Sequence, residues 1–246
     1  MESRIKLPLL ASALSVLLAP SISFAQTDKD FTMDGELGFI FTSGNTDTTS
    51  ANAAINAKQE LTNWSNEYTL KGLYKTDTVD DVETTSAQKF FASAQGNYKL
   101  DNPNHRLFGF ASYEDDRLSS FEYQATVAAG WNHKLWENDT SGFDYSIGPG
   151  YAFAETVDGE SQNGVVVRGA LKYFYNISET AKFTQSFSTE IGSDNTKSRA
   201  QSAVSAKIGG GLSMKVAIKF DHNSEVIGER DNLDTETSVN LVYSFF

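Results

Sequence analysis

His222, Asn223 and Ser224 set an imidazole and a hydroxyl two residues apart, on one face of an extended segment, and acyl hydrolysis is the chemistry such a pair would do. The residues that follow are Glu225, Val226, Ile227 and Gly228, and no third group that would orient the histidine can be assigned on a neighbouring segment, so catalysis is not expected. His105 and His133 stand at segment ends without partners, and with three histidines and no cysteine no transition-metal site is expected. Gly209 to Gly211 reads as a turn and not as a phosphate loop, because no helix follows it, and no cofactor is expected. The remaining candidates are charges placed at alternate positions. Lys58, Lys71, Lys75, Lys89, Arg168 and Lys172 share the polar phase of their segments, as do Lys182, Arg199, Lys207, Lys215 and Lys219. Acidic residues on that phase, Glu122 and Asp144 among them, are fewer. Fixed positive charge facing a confined aqueous space would favour anions or acidic oligosaccharides.

The elements that would position these side chains follow a period of two. FEYQATVAAGW, Phe121 to Trp131, has apolar residues at every odd position and mostly polar or small ones between, so one face suits lipid and the other water. Twelve such segments succeed one another, at 33–43, 50–61, 66–75, 87–100, 106–114, 121–135, 142–154, 164–175, 181–191, 198–208, 212–222 and 237–246. Most are near the ~9 to 11 residues that cross a bilayer as a tilted strand. Connections after even-numbered segments are short, such as TNWS and DNPNH. Those after odd-numbered ones are mostly longer and acidic, such as TDTVDDVETTS (76–86) and NSEVIGERDNLDTE (223–236). Short inner turns, longer outer loops and an even strand number predict an all-β, up-and-down antiparallel transmembrane barrel of the outer-membrane type, with both termini on the periplasmic side.

Targeting signals agree with that fold. Arg4 and Lys6, the apolar run from Leu7 to Ala19, and Ser23 and Ala25 before a cut predict a secretory signal peptide over 1–25, cleaved to leave a single barrel over 26–246. The expected location is the outer membrane of a Gram-negative cell envelope, reached by Sec export. Val239, Leu241, Tyr243 and Phe245 close the chain on one face, which resembles the signal read by the barrel assembly machinery. The net charge of -12 lies essentially in the outer connections. It suits divalent-cation bridging to lipopolysaccharide, or equally a plain solvated surface, and it gives no reason to expect a nucleic-acid partner. Aromatics toward segment ends predict girdles at the two membrane interfaces, Phe121 and Trp131 among them. Pro149 predicts a bulge, and the fifth segment leaves open whether Phe108 and Phe110 or Leu107 and Tyr113 face lipid.

Two resemblances bear on function. The His222-x-Ser224 spacing resembles that of the outer-membrane phospholipases, which are also twelve-stranded barrels, but it covers only a few residues. GNTDTTSANAAINAKQE (Gly44 to Glu60), FASYEDDRLSSFEYQATVAAG (Phe110 to Gly130) and GPGYAF (Gly148 to Phe153) resemble the YdiY-like family of salt-induced outer-membrane proteins, a family of unknown function. That resemblance implies location, fold and a part in salt or osmotic stress, and it carries no site residues. Two readings stay open: a narrow passive pore for small or anionic solutes, and a non-conducting barrel, its charges paired across the lumen, that supports the envelope. A phospholipase is the distant third.

Overall fold

A strand with one apolar and one polar face needs two media, and a sheet closed on itself supplies both without leaving an edge. The computed structural model describes residues 31–42, 47–79, 82–226, 228 and 231–245. Its strands are β1 (Phe31–Thr42), β2 (Asp47–Glu60), β3 (Trp64–Val79), β4 (Val82–Lys99), β5 (His105–Asp116) and β6 (Phe121–Glu137), then β7 (Ser141–Thr156), β8 (Gly164–Asn176), β9 (Ala181–Gly192), β10 (Thr196–Gly209), β11 (Leu212–Asn223) and β12 (Leu233–Ser244). Each pairs antiparallel with its neighbours in sequence, and β1 pairs with β12 to close the barrel. The expected fold class is met. The expected signal peptide and the terminal Phe246 lie outside the described residues.

Outward faces are apolar and uncovered: Val127 on β6, Ile147, Tyr151 and Phe153 on β7, Met214, Val216 and Ile218 on β11, Val239 and Leu241 on β12. So much exposed apolar surface suits lipid and not water. Aromatic pairs gather at both ends of this band. On the side of the termini Trp64 meets Tyr98 at 5.3 Å and Trp136 stacks on Phe143 at 5.2 Å; on the loop side Tyr113 stacks on Tyr123 at 6.3 Å. His105 and His133 belong to the former belt and do have partners. Their rings stack at 4.4 Å, both lie against Trp131, and the Tyr145 hydroxyl is 3.4 Å from His133 Nδ1. The β5–β6 register places the two histidines opposite each other, which neither segment shows alone.

Four local expectations meet a definite outcome. On β5, Phe108 pairs with Gly130 and is only 3% exposed, so Phe108 and Phe110 face inward while Leu107 and Tyr113 face lipid; the glycine opposite leaves room for the ring. At the start of β6 the register shifts between Phe121 and Tyr123. That irregularity turns Phe121 inward, 3% exposed opposite Thr156, and leaves Glu122 exposed, so neither the lipid-facing Phe121 nor the lumen-lining Glu122 holds. Ser119 fixes the turned end, its hydroxyl donating to Phe121 O and accepting from Phe121 N.

Pro149 produces no bulge. Its ladder to β8 runs straight through Pro149↔Val167, and the ladder to β6 merely lapses between Ala128↔Gly150 and Trp131↔Ile147 with no residue gained. Gly130 and Gly148 make this possible by letting the backbones approach: a Cβ on Gly148 would lie 2.7 Å from Gly130 Cα. The acidic stretch 76–86 is likewise not a long loop. β3 runs to Val79 and β4 begins at Val82, with a register shift after Lys75, because its threonines and valines are β-branched and extend the hairpin. The longer outer connections are therefore 157–163 and 224–232. The tightest inner turn, between β10 and β11, uses Gly210 and Gly211 at φ 59° and 80°, backbone open mainly to glycine.

Candidate functional site

The lumen holds the chemistry, and register decides who enters it. Lys71 on β3 stands opposite Ala54 and Phe91, Arg168 on β8 opposite Gly148 and Glu190, and Arg199 on β10 opposite Ser188 and Asp221. Closure around twelve strands brings β4 to face β11 and β5 to face β10. Their charges meet near the loop end. Lys89 of β4 lies 3.1 Å from Asp221 of β11, 3.2 Å from Asp116 and 3.7 Å from Glu114. Glu114 of β5 accepts from Lys197 of β10 at 2.9 Å and from Arg199. Asp221 also draws Arg199 Nε to 3.3 Å and Lys219 to 2.8 Å. At this level side chains of β4 and β11, and of β5 and β10, meet across the lumen.

Further in, Lys71 reaches Gln201 of β10 at 3.4 Å and Lys172 of β8 pairs with Glu67 of β3. Lys215 pairs with Glu36 at 2.8 Å, and Glu36 also accepts from Asn56 at 3.0 Å and Asn240 at 3.4 Å. Three arginine or lysine heads sit over rings: Arg168 over Phe110 at 3.6 Å, Lys182 over Phe174 at 4.4 Å and Arg199 over Phe91 at 4.7 Å.

Between these contacts the lumen keeps a series of cavities. An outer one of about 470 Å³ is bordered by Lys75, Asp116 and Asp234, and an inner one of about 340 Å³ by Lys58, Arg106, Lys134, Lys182 and Asp144. Two smaller ones of about 100 and 210 Å³ lie between them. Lys219 borders the outer and both middle cavities, and Glu67 and Lys172 border a middle and the inner one, so the spaces adjoin along the axis. Of the residues singled out from sequence, Lys75 sits at the outer mouth, paired with Asp77 at 3.2 Å, and Lys207 is exposed beside the inner turn. Lys58 and Lys182 are exposed in the inner cavity, where Asp144 accepts from Asn132 at 3.4 Å.

Sequence reading missed the hub of the cluster. Glu114 and Lys197 stand at or next to the ends of their alternating segments, and Asn56, Gln201 and Asn240 carry no charge that would single them out. Fixing the phase of β5 from Leu107 and Tyr113 would have put Glu114 inside. His222 and Ser224 do not meet through a hydrogen bond. The Ser224 hydroxyl accepts from Thr196 N at 2.8 Å and donates to Asn195 Oδ1 at 3.2 Å, which ties the β11–β12 connection to the β9–β10 turn. Among the described residues no group of His, Asp and Glu is arranged to hold a metal.

A family model described as "Protein of unknown function, DUF481" matches residues 35–245. The chain is 25% identical over 222 residues to "Uncharacterized protein YdiY" of Escherichia coli (strain K12), covering 89% of this chain and 85% of that protein. Among solved structures, the fold is similar to the COG4313 outer membrane channel from Pseudomonas putida F1, with TM-score 0.51 and 10% identity over 92% of this chain and 98% of that one. It is similar too to the NanC porin, with TM-score 0.50 and 10% identity over 86% and 98%. At such identities the likeness is one of fold.

Proposed function

The chain belongs to the DUF481 family of proteins of unknown function, and from that premise we propose that it is an outer-membrane barrel whose lumen is a narrow passive pathway for small anions. The carrying observation is the run of adjoining cavities from the acidic mouth to the inner vestibule, divided, among the described residues, by side chains of the strands, the ion pairs of Lys89 and Glu114 foremost. Basic groups outnumber acids in the middle and inner sections, and fixed charge in a narrow path sets selectivity. The shared fold with an outer membrane channel and a porin supports this reading. Sec export, the barrel assembly machinery, lipopolysaccharide at the acidic rim and service under salt or osmotic stress are parts of it. We expect no hydrolytic activity, because the Ser224 hydroxyl is engaged by Asn195 and Thr196.

Single-channel recording of the refolded protein in a planar bilayer under a salt gradient tests the proposal. The expected result is a small, steady conductance with a reversal potential on the anion side, weakened by Lys219→Gln. A second reading, a non-conducting barrel that supports the envelope, is favoured by the contacts of β4 with β11 and of β5 with β10. A silent bilayer from protein that is folded by circular dichroism would select it.

A further inference from the structure

Below the crossed charges of the loop end lies the cavity of about 210 Å³ in the middle of the barrel. Two basic groups that border it have donors to spare. Arg168 is 6% exposed, Glu190 comes no nearer its Nε than 3.6 Å, and neither Nε nor Nη1 has a hydrogen-bond partner. Lys71 Nζ has one long contact, 3.4 Å to Gln201, and no carboxylate within ion-pair range among the described residues. The acids of the cavity are already engaged: Glu67 by Lys172, Glu190 by the Thr126 hydroxyl at 2.8 Å as well as by Arg168. A buried donor left unmet, as on Arg168, is costly, and so is a half-buried cation without counter-charge, as Lys71 is, and an anion in the cavity would remove both costs.

We propose that this cavity binds a small inorganic anion, of halide to phosphate size, held between Lys71 on β3 and Arg168 on β8 across the lumen. The inference deepens the pore reading and rests on it for the anion's route of entry. Size narrows the ligand: at ~30 Å³ per water, the cavity holds a hydrated small anion but no oligosaccharide.

The test uses bromide on the detergent-solubilised barrel. Crystals grown in sodium bromide should show an anomalous peak between the Lys71 ammonium and the Arg168 guanidinium, absent in Lys71→Met and present in Lys207→Met. In micelles, bromide should raise the melting temperature saturably relative to gluconate at equal ionic strength, with apparent affinity reduced roughly tenfold or more in Lys71→Met. That variant removes a half-buried cation that no carboxylate pairs with, so it should fold at least as well as the parent when bromide is absent. A cavity without a bromide peak, or stabilisation by bromide that Lys71→Met leaves unchanged, overturns the site. Neither readout requires conduction, so a silent bilayer beside an occupied cavity would sink the pore and keep the site, and a conducting barrel with an empty cavity would do the reverse.

Discussion

Glu114→Gln is the sharpest test of the crossed charges near the loop end. Glu114 is buried, and its carboxylate accepts from Lys197 at 2.9 Å and from Arg199, with Lys89 at 3.7 Å. Glutamine keeps the size and one acceptor but withdraws the charge that balances three cations. Breaking a buried ion pair from one side costs about 3–5 kcal/mol. Here the side chains retain 8% to 21% exposure, and Lys89 keeps Asp116 and Asp221, so the lower end, about 3 kcal/mol, is expected. At ~1.4 kcal/mol per tenfold, that shifts the folding equilibrium roughly a hundredfold. Lys75→Gln serves as comparator, because the Lys75–Asp77 pair is 40% and 28% exposed and should cost under about 1 kcal/mol. Urea unfolding in lipid vesicles, followed by tryptophan fluorescence and by the mobility shift of the folded barrel on gels, reads both. If the two variants unfold at the same midpoint, the crossed charges are hydrated pairs without structural weight, and the reasoning from their burial is wrong.

Other expectations follow from the backbone and the rim. β1 and β12 pair only from Asp34↔Ser244 to Leu37↔Leu241, whereas β1 and β2 pair from Phe31↔Gln59 to Thr42↔Thr48. The odd-numbered amides of β12 point toward β1, as Phe245 N does in donating to Met33 O, so hydrogen exchange should be faster at Val239, beyond the paired stretch, than in β7, and uniform protection would contradict a short seam. Gly148→Ala should block or strongly impair refolding, since its Cβ would meet the Gly130 backbone, while Gly109→Ala, with open space around it, should refold as the parent does. Ser224→Ala should cost about 0.5–1.5 kcal/mol through the loss of its loop hydrogen bonds, and neither it nor the parent should hydrolyse phospholipid. Hydrolysis by the parent that disappears in Ser224→Ala would restore the catalytic pair.

Strand number, order and the facing of most side chains were legible because period-two alternation is local: the outward run Leu212, Met214, Val216, Ile218, Phe220 can be read without knowing any partner. What alternation cannot report is an event between strands. Phe121 changes face because β7 and the turn at Ser119 shift its register. Pro149 avoids a bulge because glycines stand on both sides of the β6–β7 gap. The stretch 76–86 reads as a loop by charge, yet 76–79 and 82–86 are strand by β-branching, since strands that clear the membrane no longer need an apolar face. For the site, inward lysines were legible as a phase, but which acid meets which base depends on closure. Lys89 and Asp221 are far apart in sequence and meet only because closure of the barrel turns β4 and β11 toward one lumen, across which the two side chains reach.

The kind of obstruction bears on how such a barrel would behave. Eight strands are filled by their own side chains and sixteen leave an aqueous channel, so twelve sits where long polar side chains can reach the opposite wall. Lys89 and Lys219 do so here on flexible stems, each shared among several carboxylates: Lys89 among Glu114, Asp116 and Asp221, Lys219 between Asp221 and Glu236. Exchange among such partners needs only rotamer changes and no movement of the backbone. A pathway closed in this way has no slow gate, in contrast to one closed by a folded-in loop. Its current would be small and steady, averaged over many side-chain openings, without long-lived closed levels. Slow, stepwise gating in a bilayer would point instead to the outer connections, with 157–163 and 224–232 as the segments long enough to move.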